Sequence, residues 1–412
     1  MVERSKCMNV PEIRFKEFDE EWSENLLEDF FTKVTSKNRK LKYSAVLTNS
    51  AEYGIIGQLD YFDFDVTNSN NIGGYFIVEP DDFVYNPRVS VSAPVGPINR
   101  NRLGYTGIMS PLYLVFKING INKDFLCYYY KTKKWHRFMK LSGNCGARFD
   151  RLSISDDKFV KMPIIHPNNT KEQNQICKVF ENLDDLIEES TLRLVSLKRI
   201  KAASLQSMFP QEGETVPKVR FKGFEGEWNL KYVFELLCER NELSPQSSEF
   251  PLMAFIANNG IAEKGERYDR SALVNDVINK QYKRTYYGDF IYSSNNLGTG
   301  SIGLNTYGKA TISPVYSIFY CTLNSDSNFV GYCMTRKSFI KEMIKWRQGV
   351  MYGQWRIHEN DFLRIKVLVP SLPEQQQIGT YFRNLDQQIS LQTKRLEKLK
   401  QIKAACLDKM FV

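Results

Sequence analysis

Glu172-Gln-Asn-Gln-Ile-Cys-Lys-Val-Phe-Glu-Asn-Leu-Asp184 opens a stretch that closes on Met208-Phe209. Glu374-Gln-Gln-Gln-Ile-Gly-Thr-Tyr-Phe-Arg-Asn-Leu-Asp386 opens a second that closes on Met410-Phe411, and the two agree at 21 of 38 positions. Apolar residues in the first fall at Ile176, Phe180, Leu183, Ile187, Leu194 and Leu197, with Ser190 in the missing place. The second repeats the spacing with Ile378, Phe382, Leu385, Ile389, Leu396 and Leu399, and Gln392 takes the polar place. Steps alternating between four and three mark a coiled-coil seam rather than the broad apolar face of a globular helix. Ser371-Leu-Pro-Glu374 fits a capping box, and Thr170-Lys-Glu-Gln173 fits one within a residue. Apart from Gly379, neither stretch holds Pro or Gly after its first turns. Each therefore predicts a helical rod of roughly 58 Å.

Charge predicts how the rods meet. In the first, Glu172, Glu181, Asp184, Asp185, Glu188 and Glu189 all precede residue 190, and only Arg193, Lys198, Arg199 and Lys201 follow. The second carries Lys394, Arg395, Lys398, Lys400 and Lys403 in its later half. An antiparallel pair sets acidic start beside basic end, whereas a parallel pair opposes two basic halves. The duplicated seam argues against two unrelated surface helices. Antiparallel rods would carry the globular bodies to opposite ends about an approximate two-fold axis, in a nearly circular chain.

Outward from the rods a second repeat appears. Pro11-Glu-Ile-Arg-Phe-Lys-Glu-Phe-Asp-Glu-Glu-Trp22 returns as Pro217-Lys-Val-Arg-Phe-Lys-Gly-Phe-Glu-Gly-Glu-Trp228. The chain is thus two copies of one unit, each with about 150 residues between its repeated ends, enough for a domain. The expected divisions are globular domains at 1–167 and 211–370, and helices at 168–210 and 371–412. Within the domains, Asp82-Phe-Val-Tyr85 matches Asp289-Phe-Ile-Tyr292. Ser110-Pro-Leu-Tyr-Leu-Val-Phe116 matches Ser313-Pro-Val-Tyr-Ser-Ile-Phe319, and Asp157-Lys-Phe159 matches Asn360-Asp-Phe362. Alternating apolar and polar residues, rich in Tyr, Phe, Val and Ile, predict strands in these patches, and Asn68–Gly74 and Ser293–Gly298 predict loops. The fold class expected is α+β, a shared scaffold with divergent loops.

The 412 residues are 42% hydrophobic and 25% charged, the balance of a globular protein with real cores. No apolar run reaches membrane-spanning length, and Met1–Asn9 has no apolar segment of a secretory signal. Eight cysteines without a Cys-x-x-Cys pair predict reduced thiols in a cytoplasm. A net charge of +9 suits a polyanionic partner.

Together, the paired P-x-[IV]-R-F-K-x-F-x-x-E-W leads and the paired helices resemble the specificity subunit of Type I restriction-modification systems, over nearly the whole chain. The resemblance implies two target recognition domains, each reading half of a bipartite, asymmetric double-stranded DNA target, with the helices as a ruler. It implies two modification (methyltransferase) subunits docked along the exposed seam around Leu194, Leu197, Leu396 and Leu399, and restriction subunits beyond them. S-adenosylmethionine, ATP and magnesium would then act on those partners, with no cofactor, metal or catalytic residue on this chain.

Reading bases needs Arg, Lys, Asn or Gln on loops, with further cations on phosphates. The first domain offers Arg88, Arg100, Arg102, Lys131, Lys133, Lys134, Arg137 and Lys140, with Tyr128-Tyr-Tyr130 beside them to pack on sugar or support a loop. The second offers Lys280, Lys283, Arg284, Arg336, Lys337, Lys345 and Arg347, and Asn295 and Asn296 on a loop. Enzyme signals fail. Gly298-Thr-Gly-Ser-Ile-Gly303 has the G-x-G-x-x-G spacing but runs on into a strand-like segment. Pro80-Asp81 and Asp156-Asp-Lys158 are nuclease fragments too far apart to form a core, and the three histidines stand apart. Two other readings stay open: a free-standing two-domain DNA-binding protein without enzymatic partners, and an interaction scaffold.

Overall fold

The structure is a computed structural model and describes residues 9–61, 69–144, 150–257, 260–263, 280–350 and 354–412. Met1–Met8 and Asn68, used above, lie outside them. Both repeats form unbroken helices, the first long helix over Thr170–Ser207 and the second over Leu372–Lys409. Their caps differ from the boxes read in the sequence. Asn169, not Thr170, caps the first helix, its Oδ1 accepting from Lys171 N at 2.9 Å. Gln173 and Glu374, the far ends of those boxes, bond instead to Pro167 O and to Arg220. A buried partner from elsewhere in the fold outcompetes a backbone N–H that water can satisfy.

The chain forms two compact units. One comprises the residues up to Ser190 together with Arg395–Val412, and the other Thr191–Lys394. In the first, a four-stranded antiparallel sheet runs in the order Phe31–Lys33, Leu114–Ile118, Phe83–Tyr85, Ile98–Arg100. The second repeats it as Leu237–Glu239, Ser317–Cys321, Phe290–Tyr292, Ile302–Leu304. The matched patches pair directly, Phe83 with Phe116 and Phe290 with Phe319.

Strand alternation sends successive residues to opposite faces, and both faces are buried. Phe83 and Phe116 join the larger core of the first unit with Phe125, Phe159 and Phe180, while Val84 and Val115 join a smaller core with Leu47, Ile55 and Met109. In the second unit Phe290 and Phe319 pack with Phe329, Phe362 and Phe382, and Ile291 and Ile318 pack with Phe255, Ile261 and Ile312. A closing pair ties each domain's start to its end, Ser23–Leu26 on Pro163–His166 and Asn229–Tyr232 on Lys366–Val369.

Asp157-Lys-Phe159 and Asn360-Asp-Phe362, expected as strands, are short helices over Asp156–Phe159 and Glu359–Leu363. Acids in the first turn suit a helix N-terminus, and a single buried ring per segment (Phe159, Phe362) needs no period-two face. No helix among the described residues is long and apolar enough to cross a membrane.

In each unit the start of one long helix lies antiparallel to the end of the other. In the first unit Lys403 Nζ bonds Asp184, which also accepts from Tyr128 OH at 3.1 Å. In the second, Lys201 Nζ meets Asp386 at 2.6 Å and Tyr332 OH meets the same carboxylate at 2.6 Å. The helix ends then plug the cores: Phe411 packs on Phe125 and Phe180, and Phe209 on Trp228, Phe329 and Phe382.

Candidate nucleic-acid interface

Polar residues that the two repeats share turn inward. Arg14 grips Glu172 with two hydrogen bonds, 2.7 and 2.9 Å, and Trp22 Nε1 adds a third at 3.2 Å. Arg220 grips Glu374 in the same fork at 2.6 and 2.7 Å. Both carboxylates are essentially sealed from solvent, with side chains 1% exposed. Gln173 accepts from Asn122 N at 3.0 Å and Gln375 from Asp326 N at 3.2 Å, each beside the N-terminus of a short helix. The repeated motifs are therefore a joint between lead, helix and domain.

The candidate cations divide. Arg100 is nearly buried between Asp81 (3.1 Å) and Asp124 (3.3 Å), and Arg102 donates to Asp124 at 2.5 Å. Lys131 lies 4.7 Å over the Tyr128 ring and 3.8 Å from Asp184, and burial and Lys403 lower its pKa. Lys283 is only 8% exposed, in the central strand of a three-stranded sheet. Arg336 caps the end of the first long helix, donating to Pro210 O at 3.0 Å over the Phe209 ring. Arg284 donates to Ser244 Oγ at 2.9 Å and covers Phe250. Arg100, Lys283 and Arg336 thus serve the fold. Tyr128, Tyr129 and Tyr130 are buried as well, with Tyr128 stacked on Phe180 at 4.9 Å, so none is placed to touch sugar.

What remains in the first unit is an exposed run, Lys133, Lys134, Arg137 and Lys140, without an acidic partner among the described residues. Its field is felt by His136, whose pKa is lowered by burial and by Lys140 and Lys133. Arg88 also stays open, 3.8 Å from Asp150 with its side chain 68% exposed. In the second unit Lys280, Lys337 and Asn296 are exposed and Lys345 is tied to Glu342 at 2.5 Å. Arg347 is half-buried, its Nε without a partner among the described residues and its pKa lowered by burial. Asn295 accepts from Trp355 N at 2.5 Å.

Two segments meet at equivalent places in each unit. In the first, Val89 N donates to Asp150 O and Leu152 N to Pro87 O, both at 2.9 Å. In the second, Trp355 N and Ile357 N donate to Asn295 Oδ1 and Ser294 Oγ. Each lip joins the loop after the central strand to the segment before the last short helix. The Gly298–Gly303 loop opens no helix: Gly300 turns it at φ +92° and the strand Ile302–Leu304 follows.

Residues 19–198 and 230–401 match the Type I restriction modification DNA specificity domain. The chain belongs to that family.

The specificity chain is similar in fold to the S subunit of a Type I restriction-modification system from M. genitalium, at 15% identity and TM-score 0.60, covering 98% of this chain and 99% of that one. It also matches the HsdS subunit from Thermoanaerobacter tengcongensis at 16% identity and TM-score 0.47, over 95% of this chain and 96% of that one. A structure addressing complex assembly and conformational transition of the type I R-M system matches at 14% identity and TM-score 0.46, over 94% and 97%. No curated protein matches.

In the specificity chain the lips bring Arg151 opposite Arg88 and Trp355, next to Arg356 in sequence, onto Asn295, and sequence reasoning singled out none of the three. The only signal was an arginine shortly before each final short helix. The seam needs a correction too. Leu197 and Leu396, each 9% exposed, are used inside the units, and Leu194 and Leu399 are half-buried.

Proposed function

We propose that the specificity chain reads a bipartite, asymmetric sequence in double-stranded DNA. Target recognition domains at 1–167 and 211–370 each read one half, and spacer helices at 168–210 and 371–412 set the interval. Two modification subunits and further restriction subunits are directed to the site and carry the methyl transfer and cleavage. One observation supports this reading above the rest: the same sheet and the same helix joint are built twice, while basic residues and loops differ between the copies. A scaffold kept constant under two different sets of loops suits a protein addressing two different half-sites.

Exchange of residues 23–160 for another recognition domain tests it. Sequencing of methylated sites in a host carrying the chimaera and its modification subunit is expected to show one half of the target changed and the other retained. A change in both halves would contradict independent domains. Co-purification without any methyltransferase subunit, alongside salt-dependent duplex binding, would favour a free-standing DNA-binding protein.

A further inference from the structure

Arg88 and Arg151 oppose one another across an antiparallel bridge at the lip of the first unit. Like charges directly opposite are unfavourable, and an acceptor placed between them relieves the repulsion. The nearest acid, Asp150, stands 3.8 Å from Arg88 and is itself half exposed. Arg151 has no ion pair among the described residues. Both arginines border a cavity of about 510 Å³. Its floor is fixed: Asn86 Nδ2 donates to Asn49 O at 2.9 Å, and Asn49 Nδ2 to Val84 O at 2.7 Å. Gln58 lines the same cavity, and its buried Oε1 has no hydrogen-bond partner among the described residues.

Two guanidinium groups and one unused acceptor form a definite chemical pattern. In the major groove a G·C pair presents two acceptors, guanine N7 and O6, followed by one donor, the cytosine N4 amino group. We infer that the first unit reads a G·C pair, the Arg88–Arg151 pair donating to guanine and Gln58 Oε1 accepting from cytosine. This rests on the DNA-reading function proposed above and assigns it a base pair and three residues.

The full chain, taken through selection from a random duplex library and then titrated against the selected duplex and its single-base variants, tests the assignment. Wild type is expected to select a motif with G·C in one half. Arg151→Lys and Arg88→Lys keep the charge but lose the bidentate fork, so preference for G·C at that position should fall on the order of tenfold. Preference in the other half and the salt dependence should stay unchanged. Gln58→Leu should weaken discrimination at the same position, and unchanged thermal unfolding of each variant shows that the fold is intact. Equal weakening on every sequence, with a salt slope reduced by about one in the Arg→Ala variants, would mean phosphate contacts and overturn the inference. So would unchanged selectivity, or a wild-type motif without G·C in either half. A wild type that selects no motif at all would instead sink the DNA-reading function itself.

Discussion

Arg14 and Glu172 are separated by 158 residues in the chain and meet through two hydrogen bonds, the carboxylate buried and the guanidinium mostly so. Removing one member strands the other charge, which costs far more than the intact pair contributes. Arg14→Ala is expected to lower stability by about 3 to 5 kcal/mol in denaturant titration, and Glu172→Gln by less, because the amide still accepts one bond. At the same scale, Cys177 and Cys333 have their thiols pushed up to about 12, chiefly by burial. A raised thiol pKa leaves no reactive thiolate at pH 8, so both should resist iodoacetamide in the folded chain and react once it is unfolded, as mass spectrometry of labelled peptides would show. That Arg14, Glu172 and Trp22 recur at Arg220, Glu374 and Trp228 was legible in the sequence; that Arg and Glu clasp each other was not, because a repeat marks positions without naming their partners.

For the long helices the seam and the charge asymmetry were enough to predict antiparallel pairing, since both are periodic properties of contiguous sequence. Asp184 with Lys403, and Lys201 with Asp386, carry the pairing out, and each aspartate also holds a tyrosine from its own domain. Lys403→Glu should cost about 1 kcal/mol after solvent screening, and Asp184→Lys in the same chain should recover part of it, as a double-mutant cycle in thermal unfolding would show. Phe411→Ala opens a void between Phe125 and Phe180 and should cost about 3 to 5 kcal/mol, read by urea midpoint. Where the seam misled was at Leu197 and Leu396, which looked available to a partner. Period alone identifies an apolar stripe; which neighbour covers it depends on the whole fold.

Across the whole molecule, each compact unit takes a domain and parts of both long helices, so the helices have to keep their seam in register with each domain. A matched insertion of seven residues in both helices preserves the steps of four and three, whereas four residues would rotate the seam. Seven residues add about 10 Å, so the unread interval of the target should lengthen by about three base pairs with the read bases unchanged, as methylated-site sequencing would report. An unchanged interval would exclude the helices as its measure.

From sequence alone came the duplication, the rods and their antiparallel sense, the paired strands and the α+β class, because each is written in local periodicity or in self-similarity along the chain. Tertiary structure decided which cations stay free. Arg100, Lys283 and Arg336 looked no different in sequence from Lys133 or Arg137, yet contacts with residues elsewhere in the fold hold the first three and leave the other two in water. The same long-range packing set Arg151 opposite Arg88. Burial and cross-strand placement are properties of the assembled chain, and no window of neighbouring residues contains them.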